Sequence, residues 1–402
     1  LFGGSPKEET GLSMTVGGTG IPNTVGVKHF FDFEQSVKEK LPEIKTKMLV
    51  YGQLGSEENL VSGLRRNRVQ FANLSAIIVS TLVPETALLY APYLFDSPEE
   101  ADFIYDNYLT PIFTEMLDQK GLKFIAWSEI GFHHVYSKSP VLKPDDLEGV
   151  RYRVSASLSS RYFGEAVGAD LIPMGYGEIV QSLQTDLITS GDNSIALYVK
   201  TGKEQEAPHY TLTQHSLGMS VMVARKEWWN NLTSEQQLAI ESSWPDPINA
   251  RLELREEEAE NLKNAETMGI KVYRLSQDQR ELWKSATEGQ AKRLAKEIGG
   301  RSEEILALVD GIKHAATEFS DEDYGTLAIA TTHTQAKFTL PNVVDKFVNR
   351  SDVGYDKYGR TLDDERRGKH KDLLGYLNDI QEELMDAVLY IQAAREELDE
   401  KI

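Results

Sequence analysis

The sequence predicts an α/β protein whose two lobes close on each other like a clamshell, with long helices towards the end of the chain. Two stretches, residues 12–80 and 121–185, each alternate between strand-like and helix-like patterns. The length of 402 residues also exceeds what one ordinary compact core supports. Two α/β units joined by crossovers are typical of a protein that binds a ligand between its lobes.

The first unit opens with a short apolar strand that ends in glycines, "LSMTVGGTG" (12–20). A helix follows at 25–41, because apolar residues recur at helical spacing and Pro42 lies just past its end. The unit continues with a strand at 45–56, a helix at 56–69 and a strand at 69–80. This alternation predicts a largely parallel sheet whose ligand-facing loops lie at the carboxyl ends of the strands.

The second unit repeats this alternation. Residues 121–137 predict a strand, a loop and another strand, and Gly149 ends a helical turn before the strand that carries Arg153. The elements after it are a helix at 158–169, a strand at 170–176, a helix at 177–185, a strand pair at 216–229, a capped helix at 232–244 and long helices at 248–268 and 277–318. We therefore place lobe I at 1–134 and 218–262, lobe II at 135–217 and 263–320, and an appended tail at 321–402.

The composition argues against several classes of function. A net charge of −20 repels polyanions, so we expect neither nucleic acid nor an anionic membrane surface as a partner. The lack of cysteine excludes disulfides, thiolate catalysis and thiolate metal sites. No GxSxG, Walker or HExxH pattern occurs, and the acidic runs at 145–146 and 256–258 are typical of solvated helices. We expect a protein that is not an enzyme and that has no cofactor and no metal site.

The amino-terminal stretch "LFGGSPKEETGLSMTVGGTG" lacks a basic segment followed by an apolar one, so it is not typical of a signal peptide. No stretch approaches the apolar length of a transmembrane helix. Two interpretations stay open, a cytosolic chain and a mature exported chain that is numbered after processing. The opening, rich in Gly, Ser and Glu, is typical of the flexible lead of an exported protein.

Five further segments occur in a characteristic order. They are "YGQLGSEENLVSGLRRNRVQFA", "LYAPYLFDSPEEA", "GLKFIAW…GFHHVYSKSPVLKPDDLEGVRYRV", "MGYGEIVQSLQT" and "LTQHSLGMSVMVARKEWWNNLTSEQQLAI". In this order, over residues 12–318, the chain resembles the DctP-type solute-binding proteins of TRAP transporters. The resemblance implies a periplasmic-binding-protein-like fold and a periplasmic location. It also implies a receptor that captures a small organic acid, a carboxylate, and delivers it to the membrane subunits of a TRAP permease.

The resemblance implies a ligand site as well. The arginine that holds the carboxylate in this family corresponds to Arg153 in "GVRYRV", and a guanidinium presents a planar donor fork that matches a carboxylate. The family's carboxylate-contacting asparagine corresponds to Asn193 in "SGDNS", and its pocket aromatic residue corresponds to Tyr176 in "PMGYGE". His133 stands where many members have a second arginine, which favours a smaller or less charged monocarboxylate.

Each of these residues also has a structural interpretation. An arginine in a strand fits a solvated face, and Gly-Asp-Asn before residue 194 is ordinary turn chemistry. Tyr176 fits a core position, and His133 fits a loop histidine with internal partners. Gln53 and Asn73 are further candidates for ligand binding from topology alone, because they lie at strand ends in the first lobe.

From residue 321 the sequence changes character. Residues 324–350 resemble a fragment of the effector-binding domain of a LysR-type cysteine-regulon activator, in which "TTHTQ" forms an anion site. Residues 351–402 contain an amphipathic acidic helix that resembles one helix of the all-α nucleotide pyrophosphohydrolases. The alternative function is therefore that of a chimeric or fused protein. In that case the acidic helix belongs to a metal-dependent hydrolase or serves oligomerisation by self-association.

Overall fold

A single mixed sheet organises the part of the chain that the computed structural model describes, residues 12–155 and 157–321. The strands of this part are β1 (Ser13–Gly17), β2 (Lys45–Leu49), β3 (Phe71–Ser75), β4 (Leu122–Ser137), β5 (Arg151–Val154), β6 (Asp170–Pro173), β7 (Ser190–Asn193), β8 (His209–Arg225) and β9 (Lys271–Tyr273). Their order in the sheet is β2-β1-β3-β8-β4-β7-β5-β6, and β9 pairs with β8.

Helices cover this sheet. They are α1 (Val25–Lys40), α2 (Glu57–Arg65), α3 (Ala76–Val79), α4 (Pro98–Ile104), α5 (Thr110–Gln119), α6 (Ser159–Ala166), α7 (Ile179–Gln184), α8 (Ile195–Val199), α9 (Lys203–Glu206), α10 (Lys226–Asn230), α11 (Ser234–Glu241), α12 (Pro247–Ala265), α13 (Gln277–Ala286), α14 (Gln290–Ile298) and α15 (Ser302–Asp321). Short 3-10 turns lie at Pro84–Tyr90, Pro144–Leu147, Tyr176–Glu178 and Glu266–Met268, and a π-helical turn lies at Tyr105–Leu109.

The first end of the sheet has the predicted β-α-β alternation. β1 runs parallel to both β2 and β3. Helix α1 begins at the N-cap Thr24, whose side chain accepts a hydrogen bond from the amide of Val27. It buries Phe30, Phe33 and Val37 against this part of the sheet. Apolar burial on one face of a helix is the main source of its stability in a folded protein, so the helical period at 25–41 identified the element correctly.

The second end repeats this arrangement around β5. β5 runs parallel to β6 and β7. Gly149 has a φ of +66°, a conformation that glycine adopts without strain, and it lets the chain turn from the 3-10 segment into β5. Tyr152 of β5 forms a buried cluster with Phe163, Trp283 and neighbouring aliphatic side chains. The α/β class predicted for both stretches of the chain is confirmed.

The two central strands differ from the prediction. β4 is one strand of 16 residues, where we predicted a strand, a loop and a second strand. Likewise β8 is one strand of 17 residues followed by α10, where we predicted a strand pair. The β4–β8 ladder shifts register three times, and Gly131 has a φ of +97°. β-Bulges bend a strand without ending its pairing, which is why a pattern that resembles a loop belongs to a continuous strand.

The face of helix α12 that packs against β4 carries a stripe of residues that is charged in its first part and apolar further along. Arg251 and Arg255 form salt bridges with carboxylates of the π-helical turn, α4 and β4. Glu258 follows beside Gly131, and Leu262 and Ala265 continue the stripe into an apolar cluster with α7 and α8. Residues four or three apart share a helix face, so the stripe changes from charged to apolar along its length.

Two local signals at helix starts had different outcomes. The predicted capping box at Thr233 and Gln236 is confirmed, since each side chain bonds the backbone N–H of the other residue. The strand predicted at 69–80 is too long, because Ser75 caps α3 by accepting a hydrogen bond from the amide of Ile78. A serine in an apolar run thus ends the strand and starts a helix.

Several predictions are not tested by this architecture. The ranges that we assigned to lobes I and II stay a prediction. The resemblances at 324–350 and 351–402, and the self-association of the tail helix, concern residues outside the described ranges. No helix in the described part of the chain has the length and apolar character needed to cross a membrane.

Candidate functional site

Arg153 lies close to the carboxyl end of β5, with most of its hydrogen-bond donors unused. Its Nη2 donates to the carbonyl oxygen of Met174 at 3.2 Å. Its Nε is buried and has no hydrogen-bond partner among the described residues. No salt bridge to Arg153 is found within residues 12–155 and 157–321. A half-buried guanidinium that lacks a counter-ion is well suited to receive a carboxylate, because both of its donor edges can bond to the anion.

Asn193 lies on the same face of the sheet as Arg153. Tyr152 of β5 is the register partner of Ser190 in β7, and side chains alternate along a strand, so Arg153 and Asn193 point to one side. Asn193 is 3% exposed, and no residue in the described ranges pairs with its buried Oδ1. The interpretation of this segment as a turn is wrong, because Ser190–Asn193 form β7.

Tyr136, a residue that the sequence patterns did not indicate, lies on the same face of the sheet. Tyr136 of β4 is the register partner of Gly191, and within the described part of the chain its buried hydroxyl has no hydrogen-bond partner. A Cβ atom at Gly191 would lie 2.4 Å from the Tyr136 hydroxyl oxygen and 3.2 Å from Cβ of Arg153. Glycine is therefore the residue that leaves room for the tyrosine beside Arg153.

Tyr176 follows β6 and begins the 3-10 turn Tyr176–Glu178. It is 41% exposed, which contradicts its interpretation as a core residue. Its hydroxyl oxygen accepts a hydrogen bond from Nζ of Lys203 at 3.0 Å, and Asn193 and Thr201 are neighbours of the same oxygen. Burial of the hydroxyl end raises the pKa of Tyr176 to about 12, so the phenol is neutral and keeps its hydrogen.

His133 points away from Arg153 and contacts the side chain of an aspartate instead. Its Nδ1 lies 2.7 Å from a carboxylate oxygen of Asp192. The same carboxylate accepts a hydrogen bond from the Tyr152 hydroxyl at 3.1 Å, and Nε2 of His215 lies 3.7 Å from it. Burial alone would raise the pKa of Asp192, but the hydrogen bond with His133 and the proximity of His215 outweigh it and hold that pKa far below its usual range. The loop-histidine interpretation of His133 was correct in giving it an internal partner.

The ionised Asp192 should make stability depend on pH. A carboxylate with a lowered pKa stabilises the fold fully above the pKa of the unfolded chain, about 4, and this contribution falls by about 1.4 kcal/mol per pH unit below that value. Asp192→Asn keeps the shape and removes the charge. We expect the variant to be less stable at neutral pH, and the difference from the parent to shrink in acid. Urea unfolding across this pH range measures it.

Asp145→Asn is the matched control for this prediction, because the side chain of Asp145 is 79% exposed. Its free energy of unfolding should follow that of the parent at every pH. A difference between the parent and Asp192→Asn that stays constant down to acid pH would contradict the assignment of the charge to Asp192.

The two candidates in the first unit lie apart from this group. Gln53 is exposed, and its Oε1 accepts a hydrogen bond from the amide of Tyr51 at 2.8 Å, which closes a local turn. Asn73 lies on β3 opposite Met222, and its buried Oδ1 has no hydrogen-bond partner. Arg153, Asn193 and Tyr176 are thus brought together, while ligand binding by these three residues and by His133, Gln53 and Asn73 stays a prediction.

Sequence reasoning missed Lys203 and Asp192 as well as Tyr136. Lys203 stands in the charged stretch "KTGKEQEA", which is typical of a solvated helix, yet only 1% of its surface is exposed. Asp192 stands next to Asn193, and this adjacency was the only signal for it. Among the described residues, no three His, Asp or Glu side chains are arranged to hold a metal ion.

Solved structures of other proteins share this architecture. A TRAP periplasmic solute-binding protein from Ochrobactrum anthropi matches with a TM-score of 0.69 and 25% identity, over 79% of this chain and 99% of that one. The sugar acid binding protein DctPAm from Advenella mimigardefordensis, in complex with galactonate, matches with a TM-score of 0.70 and 23% identity, over 74% of this chain and 98% of that one. The predicted α/β fold of two lobes is thereby confirmed.

Sequence comparison agrees with the structural match. A solute-binding protein of Chromohalobacter salexigens is 26% identical over 297 residues, which cover 73% of this chain and 87% of that protein. The family DctP, described as bacterial extracellular solute-binding protein family 7, matches residues 17–297. This family consists of substrate-binding receptors rather than enzymes, and its TRAP members are periplasmic. The chain therefore belongs to the DctP family of bacterial extracellular solute-binding proteins.

Proposed function

We propose that this protein is an extracytoplasmic receptor that binds one small hydroxylated carboxylic acid between its lobes and delivers it to a TRAP-type permease. The observation that carries the proposal is Arg153, a half-buried guanidinium whose buried Nε has no hydrogen-bond partner in the part of the chain that the structure describes. In a closing cleft the attraction between a guanidinium and a carboxylate is little screened by water. The periplasmic location and the permease partner are inferred from the family.

The polar atoms around Arg153 favour a ligand with hydroxyl groups. The Oδ1 atom of Asn193 is a buried acceptor without a donor among the described residues. A buried acceptor that stays unpaired destabilises a complex, and a carboxylate offers no hydrogen to pair with it. A hydroxyl group of a sugar acid would supply that hydrogen. The galactonate complex of the related DctPAm supports this choice of ligand class.

The surroundings of His133 favour a single carboxylate. His133, which by the family resemblance corresponds to a second arginine, points away from Arg153, and its Nδ1 is already bonded to Asp192. It therefore offers no hydrogen-bond donor to a second ligand carboxylate on the face of the sheet that carries Arg153. We therefore expect a monocarboxylate to bind more tightly than a dicarboxylate such as succinate.

A thermal-shift screen of mono- and dicarboxylates tests the proposal. A ligand present at a hundred times its dissociation constant should stabilise the native state by about 2.7 kcal/mol, which raises the melting temperature by several degrees. We expect such a shift with hydroxylated monocarboxylates, including D-galactonate, and smaller shifts with succinate. Uncharged sugar alcohols serve as the control.

Co-purified ligand would hide such a shift, so the protein is first denatured, dialysed and refolded. Mass spectrometry of the released small molecules identifies any acid that was bound. Protein that is free of ligand and that shows no shift with any carboxylic acid would contradict the proposed function.

A further inference from the structure

Lys203 is a buried lysine next to the proposed ligand site. It lies at the start of α9 and is 1% exposed. Its Nζ donates to Oγ1 of Thr201 at 2.6 Å, to the hydroxyl oxygen of Tyr176 at 3.0 Å and to the carbonyl oxygen of Leu197 at 3.3 Å. No carboxylate within the described ranges forms a salt bridge with it, although buried lysines are ordinarily paired with an acid.

A second positive charge faces Lys203. Burial and the nearby Arg153 of β5 both lower the pKa of Lys203, to about 7, while Glu204 on the same short helix raises it. Tyr176 is the titratable group that faces Lys203 from the 3-10 turn, and Tyr198 of α8 donates its hydroxyl to the carbonyl of Ala207 instead. Lys203 and Arg153 both lack salt bridges in the described ranges, so an anion placed between them would stabilise the positive charge of each.

In the hydrogen bond between Lys203 and Tyr176, the lysine is the donor and the tyrosine oxygen is the acceptor. Nζ lies 4.3 Å from the centre of the tyrosine ring as well as 3.0 Å from its oxygen. Because Tyr176 accepts the hydrogen bond from the ammonium, the hydrogen of the phenol remains to be donated to another group. A hydroxyl that accepts from a cation becomes a stronger donor, since linked hydrogen bonds polarise one another.

We propose that Lys203 and Tyr176 form a charged donor relay, in which the Lys203 ammonium polarises the Tyr176 hydroxyl and this hydroxyl donates to the ligand carboxylate held by Arg153. Lys203 is thus a positioning residue that acts on the ligand through Tyr176. The relay rests on the proposed function, because it takes Arg153 as the anchor of the carboxylate. The relay suits a carboxylate ligand, because its last group, the Tyr176 hydroxyl, is a hydrogen-bond donor that lies near the cation Arg153.

The relay predicts that affinity depends on pH. Lys203 carries its charge below a pH of about 7 in the free protein, and a bound anion stabilises that charge. The affinity for a carboxylate should therefore be highest on the acid side of this value and should fall as pH rises and the lysine loses its proton. Binding near neutral pH should take up part of a proton from the buffer.

Isothermal titration calorimetry of the full chain tests the relay, with D-galactonate as the probe and acetate as a competing probe. From about pH 6 to about pH 9 we expect the dissociation constant of the parent to rise about tenfold. Lys203→Met should bind with the weak affinity of the parent at high pH, at every pH in this range. Tyr176→Phe, which keeps the lysine but removes the hydroxyl, should lose most of the same pH dependence.

The pH profiles of the variants distinguish the relay from a purely structural role of Lys203. Lys45→Met removes an exposed lysine from β2 and should keep the pH profile of the parent. If Lys203→Met weakens binding equally at all pH values, Lys203 has only a structural role and the relay is wrong. If Lys203→Met does not fold, Tyr176→Phe decides alone, and an unchanged pH profile in that variant overturns the relay. A parent that binds neither probe and shows no thermal shift with any acid of the screen contradicts the proposed function itself.

Discussion

Replacing Arg153 by alanine should abolish carboxylate binding while the protein stays folded. Removing one partner of a largely desolvated charge pair weakens binding by about 2–5 kcal/mol, so we expect at least about a thirtyfold rise in the dissociation constant. Folding should change little, because Arg153 makes one hydrogen bond, to Met174, and no salt bridge among the described residues. Calorimetric titration with the acid that gives the largest thermal shift, together with thermal unfolding, measures both effects.

Arg153→Lys is the conservative control for this prediction. A lysine keeps the positive charge but presents no planar fork, so it should recover only part of the affinity. Equal affinity in the parent and in Arg153→Ala would mean that the carboxylate binds elsewhere. That result would contradict both the assignment of the anchor and the proposed face of the sheet.

Replacing Arg255 by methionine should strongly destabilise the fold. Arg255 bonds both Asp102, at 2.8 Å, and Glu129, at 2.6 Å, and Glu129 is only 5% exposed. Without Arg255, Glu129 is left as a buried charge without its partner, which typically costs about 3–5 kcal/mol. Urea unfolding of the parent and the variant measures the difference.

The pH dependence of this variant identifies the cause. Burial already raises the pKa of Glu129 in the parent, and the loss of Arg255 should raise it further. A group whose pKa is raised on folding binds a proton more readily in the native state, so the variant should become less stable as pH rises from acid to neutral. Glu129→Gln in the same chain should recover part of the stability, because it removes the buried charge.

An exposed pair provides the comparison. Arg274 and Glu266 lie 3.6 Å apart with side chains that are 59% and 67% exposed. Salt bridges of this kind contribute about 1 kcal/mol or less, so Arg274→Met should be close to neutral. Similar losses in Arg255→Met and Arg274→Met would show that the effect at Arg255 does not come from burial.

Ligand binding at Arg153 stays a prediction, but the structure does bring together two of the residues that were selected for it. Arg153 and Asn193 belong to short motifs, and the alternation of side chains along β5 and β7 does place both on one face. The continuity of β4 and β8 was not predicted. Glycine and polar residues near Gly131 form the same local pattern in a loop and in a bulged strand, and only pairing with a distant strand distinguishes the two.

Local patterns were sufficient for the α/β class, the helices with a clear apolar face and the capping box at Thr233. Each of these depends on neighbours within a few residues, whose spacing is visible along the chain. The partners of Lys203 and Arg255 depended on tertiary structure instead. Tyr176 lies 27 residues from Lys203, and Glu129 lies 126 residues from Arg255. Contacts with residues distant in sequence decide whether a charged side chain is solvated or buried. The charged stretches around Lys203 and Arg255 therefore did not indicate that these two side chains are buried.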